Sequence, residues 1–269
     1  PNGAGKTTTL KMILNLVSPD HGKVYFEGKE TTNDNLLLLK NTGVLLEGSR
    51  NMFWSLSPLE NFIYWGEQRG LSKAKAERSG LLLMKEFGLL DKKDTTITSL
   101  SRGMQQIVGI CCAMIAQPKL LILDEPTLGL DLKSAQIVTN ILQELSANGV
   151  GILITTHQLD FAQKVAQKIL LINHGKLVFS DNVKESLARL NKQTLLELTL
   201  TRSLTLEEQE EISTYCNLTK KQMNCYQLEV KSQKALPQVF NLLGKLPVRQ
   251  IQTIERNLED VFEYYTEEG

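Results

Sequence analysis

The chain has 269 residues, of which 42% are apolar, and its 30 basic side chains balance 30 acidic ones. This length suits one large domain or two modest ones, and the balanced charge disfavours a surface built to coat nucleic acid or anionic lipid. No stretch approaches the roughly 18 uninterrupted apolar residues that a membrane-spanning helix requires. The 4 cysteines lack the C-x-x-C spacing of zinc and redox sites, which favours a reducing, cytosolic environment.

The chain opens with P-N-G-A-G-K-T-T at residues 1–8, which fits all but the first glycine of the phosphate-binding pattern G-x-x-x-x-G-K-[ST]. In that pattern, backbone N–H groups wrap the phosphates, the lysine reaches the β/γ oxygens and the hydroxyl ligates Mg²⁺. The residues that follow predict a helix whose N-terminus faces the anion. We therefore expect a nucleotide triphosphatase whose fold starts before Pro1, and a chance surface turn is the alternative.

Strands and helices are predicted to alternate up to about residue 185. Helical periodicity begins at Ser57, which is suited to be the N-cap. Glu60 completes a capping box with it, and Pro58 suits the first turn. Further helices are expected at 72–87, 102–116, 134–147 and 161–168. Strands are expected at 23–26, 42–46, 119–124 and 151–157, with a hairpin at 169–179 that turns at His174 and Gly175. This alternation predicts an α/β fold with a mainly parallel sheet.

The composition changes near residue 185. Beyond a linker helix at 186–192, strands are expected at 194–201, 226–231 and 248–255, and helices at 207–215, 235–243 and 258–265. That order suggests a small α+β module of its own. We therefore predict two domains, a nucleotide-binding domain at 1–185 and an accessory domain at 186–269.

An acidic pair follows the apolar strand at 119–124. Asp124 ends this strand and places a carboxylate at the carboxyl edge of the sheet, where phosphates and Mg²⁺ lie in nucleotide-binding folds. The adjacent Glu125 is suited to polarise a water aimed at the γ-phosphorus. A buried strand followed by an acidic turn is the alternative.

Three further candidate residues lie at the ends of predicted helices and strands. Ser101 and Gly103 lie at the predicted start of a helix, where a hydroxyl and an N–H group make a second phosphate contact. An ordinary serine N-cap explains Ser101 as well. His157 closes the strand at 151–157, and a core histidine is the alternative there.

Taken together, these segments resemble the ATP-binding subunits of ABC transporters. Residues 1–8 look like Walker A, 100–105 like the signature motif and 121–125 like Walker B, while 128–131 resemble the D-loop and 156–157 the switch histidine. The resemblance implies a P-loop NTPase core with a helical subdomain at about 50–116. It also implies a head-to-tail dimer, formed with a second copy or a paralogous cassette, in which each ATP lies between two subunits.

The resemblance assigns a role to each matching residue. Glu125 would be the general base and His157 would contact the γ-phosphate or the attacking water. Thr7 and Asp124 would hold Mg²⁺. Contacts with ATP are expected from Asn2, Gly3, Ala4, Gly5, Lys6, Thr7, Thr8, Glu47, Ser101, Gly103 and Asp131, of which Ser101, Gly103 and Asp131 act across the dimer.

The chain departs from the family pattern at three places. The first glycine of Walker A, the preceding strands and the adenine-stacking aromatic are absent, so we expect this chain alone to bind ATP poorly. Arg102 stands where the signature motif usually has glycine. Glu47 takes the position of the Q-loop glutamine, where it either reaches Mg²⁺ through water or has no role.

The final helix narrows the subclass. L-E-D-V-F at residues 258–262 looks like the ending of subunits that serve ABC-2 type export permeases, such as drug-resistance subunits. We therefore expect an ATPase on the cytoplasmic face of the cell membrane, bound peripherally to a separate permease, with no nucleic-acid partner. Some of the aromatic residues between 52 and 71 are expected to contact that permease, and packing within the helical lobe is the alternative for them. A soluble ABC ATPase acting on ribosomes or DNA is the alternative.

Overall fold

The computed structural model describes residues 1–32, 35–47 and 52–267. They divide into two compact units. The N-terminal unit comprises 1–165 and 172–177, and the C-terminal unit comprises 166–171 and 178–269. The predicted domain boundary at 185 stays a prediction, and the predicted start of the helical subdomain near residue 50 lies outside the described residues.

The N-terminal unit contains seven helices and five strands among its described residues before the hairpin. In chain order they are α1 (Lys6–Ile13), β1 (Tyr25–Phe26), β2 (Lys29–Glu30), α2 (Leu36–Asn41), β3 (Thr42–Leu45), α3 (Pro58–Gln68), α4 (Lys73–Glu86), α5 (Arg102–Met114), β4 (Leu120–Asp124), α6 (Leu132–Ala147), β5 (Gly151–Thr155) and α7 (Leu159–Val165).

A parallel sheet in the order β3-β4-β5 lies at the centre of this unit. Its middle strand is buried, with Leu121, Ile122 and Leu123 fully inaccessible. Burial of each such side chain stabilises the fold by roughly 1.5–3 kcal/mol. The register pairs Leu45 with Leu123 and Asp124 with Thr155, so the loops after all three strands meet at one carboxyl edge. The predicted parallel sheet is confirmed.

Helix α3 begins with the predicted capping box. The Ser57 hydroxyl accepts from Glu60 N at 3.3 Å, and Glu60 Oε2 accepts from Ser57 N at 2.7 Å. Helix α4 ends before Gly88, which adopts a positive φ of 70°, a conformation that favours glycine. The start of α3 and the end of α4 were therefore predictable from the local sequence.

Several predicted bounds in this unit were wrong. Strand β5 ends at Thr155 rather than 157, so His157 lies in the loop after the strand, and α7 covers Leu159–Val165 rather than 161–168. Helix α6 begins at Leu132 rather than 134, because Asp131 caps it by accepting from Ser134 N at 2.9 Å. Helix α2, which is only six residues long, was not predicted, because a short run of leucines lacks enough turns to show helical periodicity.

The C-terminal unit has a second sheet. The predicted hairpin forms from β6 (Lys168–Asn173) and β7 (Lys176–Asn182), and its turn at 172–177 is assigned to the N-terminal unit. Strand β7 is followed by α8 (Val183–Leu190). The remaining elements are β8 (Leu195–Leu200), α9 (Leu206–Ser213), β9 (Cys216–Gln222), β10 (Cys225–Val230), α10 (Leu236–Leu243), β11 (Val248–Ile254) and α11 (Leu258–Glu267).

This second sheet is antiparallel, in the order β11-β8-β10-β9. The element order from β8 to β11 is β-α-β-β-α-β, the ferredoxin-like arrangement. Its core contains Leu198, Tyr226 and Leu228, and the Tyr226 hydroxyl accepts from Leu204 N at 3.0 Å. In the part of the chain that the structure describes, no helix has the length and hydropathy needed to cross a membrane.

Candidate active site

The glycine-rich loop at residues 1–5 enters α1 through backbone conformations that suit glycine. Gly3 has φ 74° and Gly5, the residue before the helix, has φ 104°. Lys6 Nζ donates to the carbonyl oxygen of Pro1 at 2.8 Å, so the loop curves around the lysine side chain. Asn2, Gly3 and Thr8 are exposed, whereas Ala4 is buried and its carbonyl accepts from Gly175 N at 3.0 Å.

Asp124 lies beside this loop and is 1% exposed. The Thr7 hydroxyl donates to its two carboxylate oxygens at 2.9 and 3.1 Å, and the Thr155 hydroxyl donates to Oδ1. A buried carboxylate beside a hydroxyl at the mouth of a phosphate loop supplies the hard oxygen ligands that Mg²⁺ prefers. The described residues hold no cluster of three or more His, Cys, Asp or Glu side chains suited to a metal.

Glu125 and His157 contact each other at the same edge of the sheet. His157 Nδ1 lies 3.0 Å from Glu125 Oε1, and the side chains are 38% and 9% exposed. The backbone of Glu125 has a positive φ of 49°, which is strained for a residue with a side chain. Its N–H group donates to Thr155 O at 2.9 Å, and this bond ties the strained residue to β5.

The other oxygen of Glu125 is a buried acceptor without a partner. Oε2 makes no hydrogen bond within the described part of the chain, and a buried polar atom in that state requires an explanation. An acceptor held next to a phosphate loop is suited to receive a hydrogen bond from a water molecule. The role of Glu125 as general base stays a prediction.

A hydrogen bond that sequence reasoning missed joins the loop after β4 to the loop after β5. The buried Thr127 hydroxyl donates to Gln158 Oε1 at 2.7 Å, and Gln158 N donates to the Thr156 hydroxyl at 3.0 Å. These bonds fix the segments that carry Glu125 and His157. Thr155, Thr127 and Gln158 gave no recognisable signal, because threonine and glutamine near strand ends are common.

Ser101 caps α5 and is exposed. Its hydroxyl accepts from Met104 N at 3.3 Å, so the N-cap interpretation holds while the hydroxyl stays accessible. Gly103 is buried, and a Cβ atom added there would lie 2.2 Å from the Ser134 hydroxyl oxygen. The glycine is therefore required for packing against the start of α6.

The structure does not gather every predicted residue around the loop. Asp131 is exposed and caps α6, and hydrogen bonds from Ser134 lower the pKa of its carboxyl. Glu47 is exposed two residues after β3, at the carboxyl edge that also carries Asp124. The structure thus brings Lys6, Thr7, Asp124, Glu125 and His157 together, and leaves Ser101, Glu47 and Asp131 on the surface.

Comparison with known proteins decides the family. Residues 1–128 match the family model described as ABC transporter. The ABC transporter ATP-binding protein NatA of Bacillus subtilis is 32% identical over 178 residues, which cover 66% of this chain and 72% of NatA. The chain belongs to the ABC transporter ATP-binding proteins.

Further ABC proteins are similar to this chain in sequence or in structure. The daunorubicin/doxorubicin resistance ATP-binding protein DrrA of Streptomyces peucetius is 33% identical over 195 residues, although the chain spans only 59% of its length. A solved ATP-binding subunit of an ABC transporter is 30% identical, with a TM-score of 0.62 over 70% of this chain and 78% of that one. A dimeric cassette, MJ0796, solved with ADP and Pi, is 25% identical, with a TM-score of 0.60 over 68% of this chain and 82% of that one.

Membership of the ABC family establishes the biochemical class. The chain is a nucleotide-binding ATPase subunit of an ABC transporter with the P-loop NTPase fold, as the sequence motifs indicated. ABC subunits of this kind work with membrane permeases, and the MJ0796 cassette is dimeric. The soluble ribosome- or DNA-associated alternative is not favoured.

Proposed function

We propose that this chain hydrolyses Mg-ATP between two subunits and drives export through a separate ABC-2 type permease. The observation that carries this proposal is the cluster of Glu125, His157, Asp124 and Thr7 beside the phosphate loop. One carboxylate oxygen of Glu125 is held by His157 and the other is a buried free acceptor within the described residues. Such a pair is suited to orient a water and accept its proton.

The phosphate loop and the residues at the strand ends would bind the phosphates and Mg²⁺. Lys6 and the N-terminus of α1 neutralise phosphate charge, and the loop positions Asn2, Gly3, Ala4, Gly5 and Thr8 supply backbone contacts. Thr7 and Asp124 would hold Mg²⁺, which supplies charge neutralisation on the β/γ oxygens when bound. Glu47 lies on the same sheet edge and would reach the metal through water.

The other half of the site is proposed to come from a second cassette. Ser101 is exposed at the N-terminus of α5, where its hydroxyl and the helix dipole are available to a phosphate bound by another subunit. Gly103 keeps α5 close to α6, and Asp131 caps α6 beside it. This arrangement supports a head-to-tail dimer, formed with a second copy or with a paralogue.

The aromatic segment after Met52 supports a permease-binding surface. Phe62 is fully buried, whereas Phe53, Trp54 and Tyr64 are 42%, 41% and 38% exposed. The rings of Phe53 and Tyr64 pack edge to face with centroids 4.6 Å apart. Large apolar side chains on a surface mark interaction sites, and we propose that a permease docks here and holds the subunit on the cytoplasmic face of the membrane.

Export rather than import is supported by the relatives and by the last helix. The drug-resistance protein DrrA and the linearmycin resistance protein LnrL of Bacillus subtilis are among the relatives. The residues at 258–262 resemble the ending of ABC-2 type subunits. We therefore propose the ABC-2 permease class as the partner and residues 186–269 as an accessory domain.

The Glu125→Gln variant of the full-length protein tests the proposal. Glutamine keeps the size of the side chain but cannot accept a proton, so steady-state ATP hydrolysis should fall by about 10²–10⁴-fold. ATP binding, measured by fluorescence titration, should remain. Hydrolysis at the wild-type rate would remove Glu125 from its role, and loss of ATP binding would show a structural role instead.

A further inference from the structure

We propose that the C-terminal unit associates with a second copy of this chain through the outer edge of strand β11. The two copies would pair antiparallel and continue their four-stranded sheets into one sheet of eight strands. This contact would not require nucleotide, and it is independent of the ATP-dependent contact proposed above.

The outer edge of β11 is uncovered. This strand pairs on one side with β8 and occupies the end of the sheet. The five central residues, 249–253, are all exposed, so no other described element lies against this edge. An uncovered edge strand presents unpaired N–H and C=O groups that another strand can bind.

The two edges of this sheet are protected differently. The opposite edge strand, β9, carries Lys220 and Lys221, and lysine on an edge strand blocks pairing with another chain. Strand β11 contains no lysine and no proline, and no charged residue lies between Gln250 and Ile254. Its only irregularity is a register shift relative to β8 between Val248 and Gln250. Of the two edges, β11 is therefore the one open to pairing.

The sequence of β11 is nearly its own complement. It reads V-R-Q-I-Q-T-I at residues 248–254, and a two-fold axis at Ile251 places each glutamine opposite a glutamine and Val248 opposite Ile254. A two-fold interface requires this kind of self-complementary patch. Arg249 and Glu255 flank the uncharged centre at opposite ends. In an antiparallel pair, Arg249 of one strand therefore lies near Glu255 of the other. Opposite charges across paired strands are favourable.

An exposed apolar side chain supports the same contact. Ile251 lies on the face of the sheet that carries the buried Leu198, its partner in β8, yet Ile251 is 37% exposed. Pairing of two β11 strands would bury Ile251 against its copy, because the axis passes through that residue.

The open face of the sheet does not suit nucleic acid. Sheets that bind single-stranded RNA stack bases on aromatic side chains of their central strands. Here the central strands β8 and β10 present Glu197, Thr199, Gln227 and Glu229 on that face, and Tyr226 is buried on the other. A second copy of this chain is therefore the partner that the observations favour.

Sedimentation of the full-length protein without nucleotide or Mg²⁺ tests the proposal. The protein should be a dimer, and Ile251→Lys should raise the dimer dissociation constant by about a hundredfold or more, because two like charges would meet on the axis. The matched control, Thr219→Lys on the exposed edge of β9, should leave the dimer intact. A monomeric nucleotide-free protein, or a dimer that survives Ile251→Lys, would overturn the proposal.

Cysteine cross-linking tests the register. Directly opposed residues of antiparallel strands have Cα atoms about 4.5–5.5 Å apart, within reach of a disulfide. Oxidation by copper phenanthroline should therefore link Ile251→Cys to its copy. Thr253→Cys lies on the same strand but about 13 Å from its copy, so it should stay unlinked, as should the wild-type protein. Equal cross-linking at both positions, or at neither, would overturn the two-fold register.

Discussion

At the scale of single residues, the site depends on a threonine, Thr155, that belongs to none of the sequence motifs. Thr155 donates to the carboxylate of Asp124, which is also bound by Thr7. Asp124 and Glu125 were predictable, because an apolar strand that ends in two carboxylates is a recognisable pattern. The partner on β5 was not, because the sequence does not reveal which side chain lies opposite Asp124 in the sheet register.

Replacing Thr155 with valine should weaken the use of Mg²⁺ by the enzyme. Valine keeps the shape but removes the donor that orients Asp124, and loss of such a partner typically costs 10–100-fold in metal affinity or activity, so we expect about that loss. The measurement is ATP hydrolysis as a function of Mg²⁺ concentration. Thr139→Val, a similar change at a buried threonine that donates to Ala135 O in α6, is the control. A wild-type Mg²⁺ dependence in Thr155→Val would show that Thr155 has no positioning role.

Gly103, a residue of the signature motif, should also contribute to the stability of the fold. A Cβ atom there would lie 2.2 and 2.6 Å from the Oγ and Cβ atoms of Ser134, so Gly103→Ala should lower the free energy of unfolding by about 1–3 kcal/mol through overpacking. Urea denaturation measures this. Adding Ser134→Gly should recover much of the loss, since the two changes share one contact. If the losses of the two single variants simply added in the double variant, the contact between residues 103 and 134 would not be the source of the strain.

At the scale of elements, the local sequence predicted the ends of helices better than it predicted polar strands. The capping box of α3 and the glycine after α4 were clear, because each satisfies a specific backbone requirement. Strand β9, C-N-L-T-K-K-Q, was missed, because only Cys216 and Leu218 face the core and its last four residues are exposed. An alternation this short is not recognisable as a half-buried strand. The ferredoxin-like order of the C-terminal unit was therefore not apparent from the sequence.

The two serine caps should differ in their contribution to stability. Ser57 is 6% exposed, and its hydroxyl both accepts from Glu60 N at 3.3 Å and donates to Glu60 Oε2 at 2.8 Å, so Ser57→Ala should cost about 1–2 kcal/mol. Ser72 caps α4 through one bond of 3.4 Å from Lys75 N, and Ser72→Ala should cost less. The midpoints of urea denaturation provide the comparison. Equal effects would mean that the second bond of the Ser57 hydroxyl, donated to Glu60 Oε2, contributes nothing.

At the scale of the whole molecule, the sequence predicted the ABC cassette and an additional C-terminal α+β region, since five ordered motifs and a change in composition carry that information. It could not predict which motif residues face the solvent. Ser101 proved exposed and Gly103 buried, and this difference depends on how α5 packs against α6. The exposed Ser101 supports a site completed by a second subunit.

ATP-driven association tests this claim most directly. The measurement is sedimentation of the full-length Glu125→Gln protein with and without Mg-ATP, in an Ile251→Lys background that removes the nucleotide-independent contact. We expect monomers without ATP and dimers with it. Addition of Ser101→Arg should keep the protein monomeric while ATP still binds. ATP-driven dimers that form equally well with Ser101→Arg would contradict a shared site.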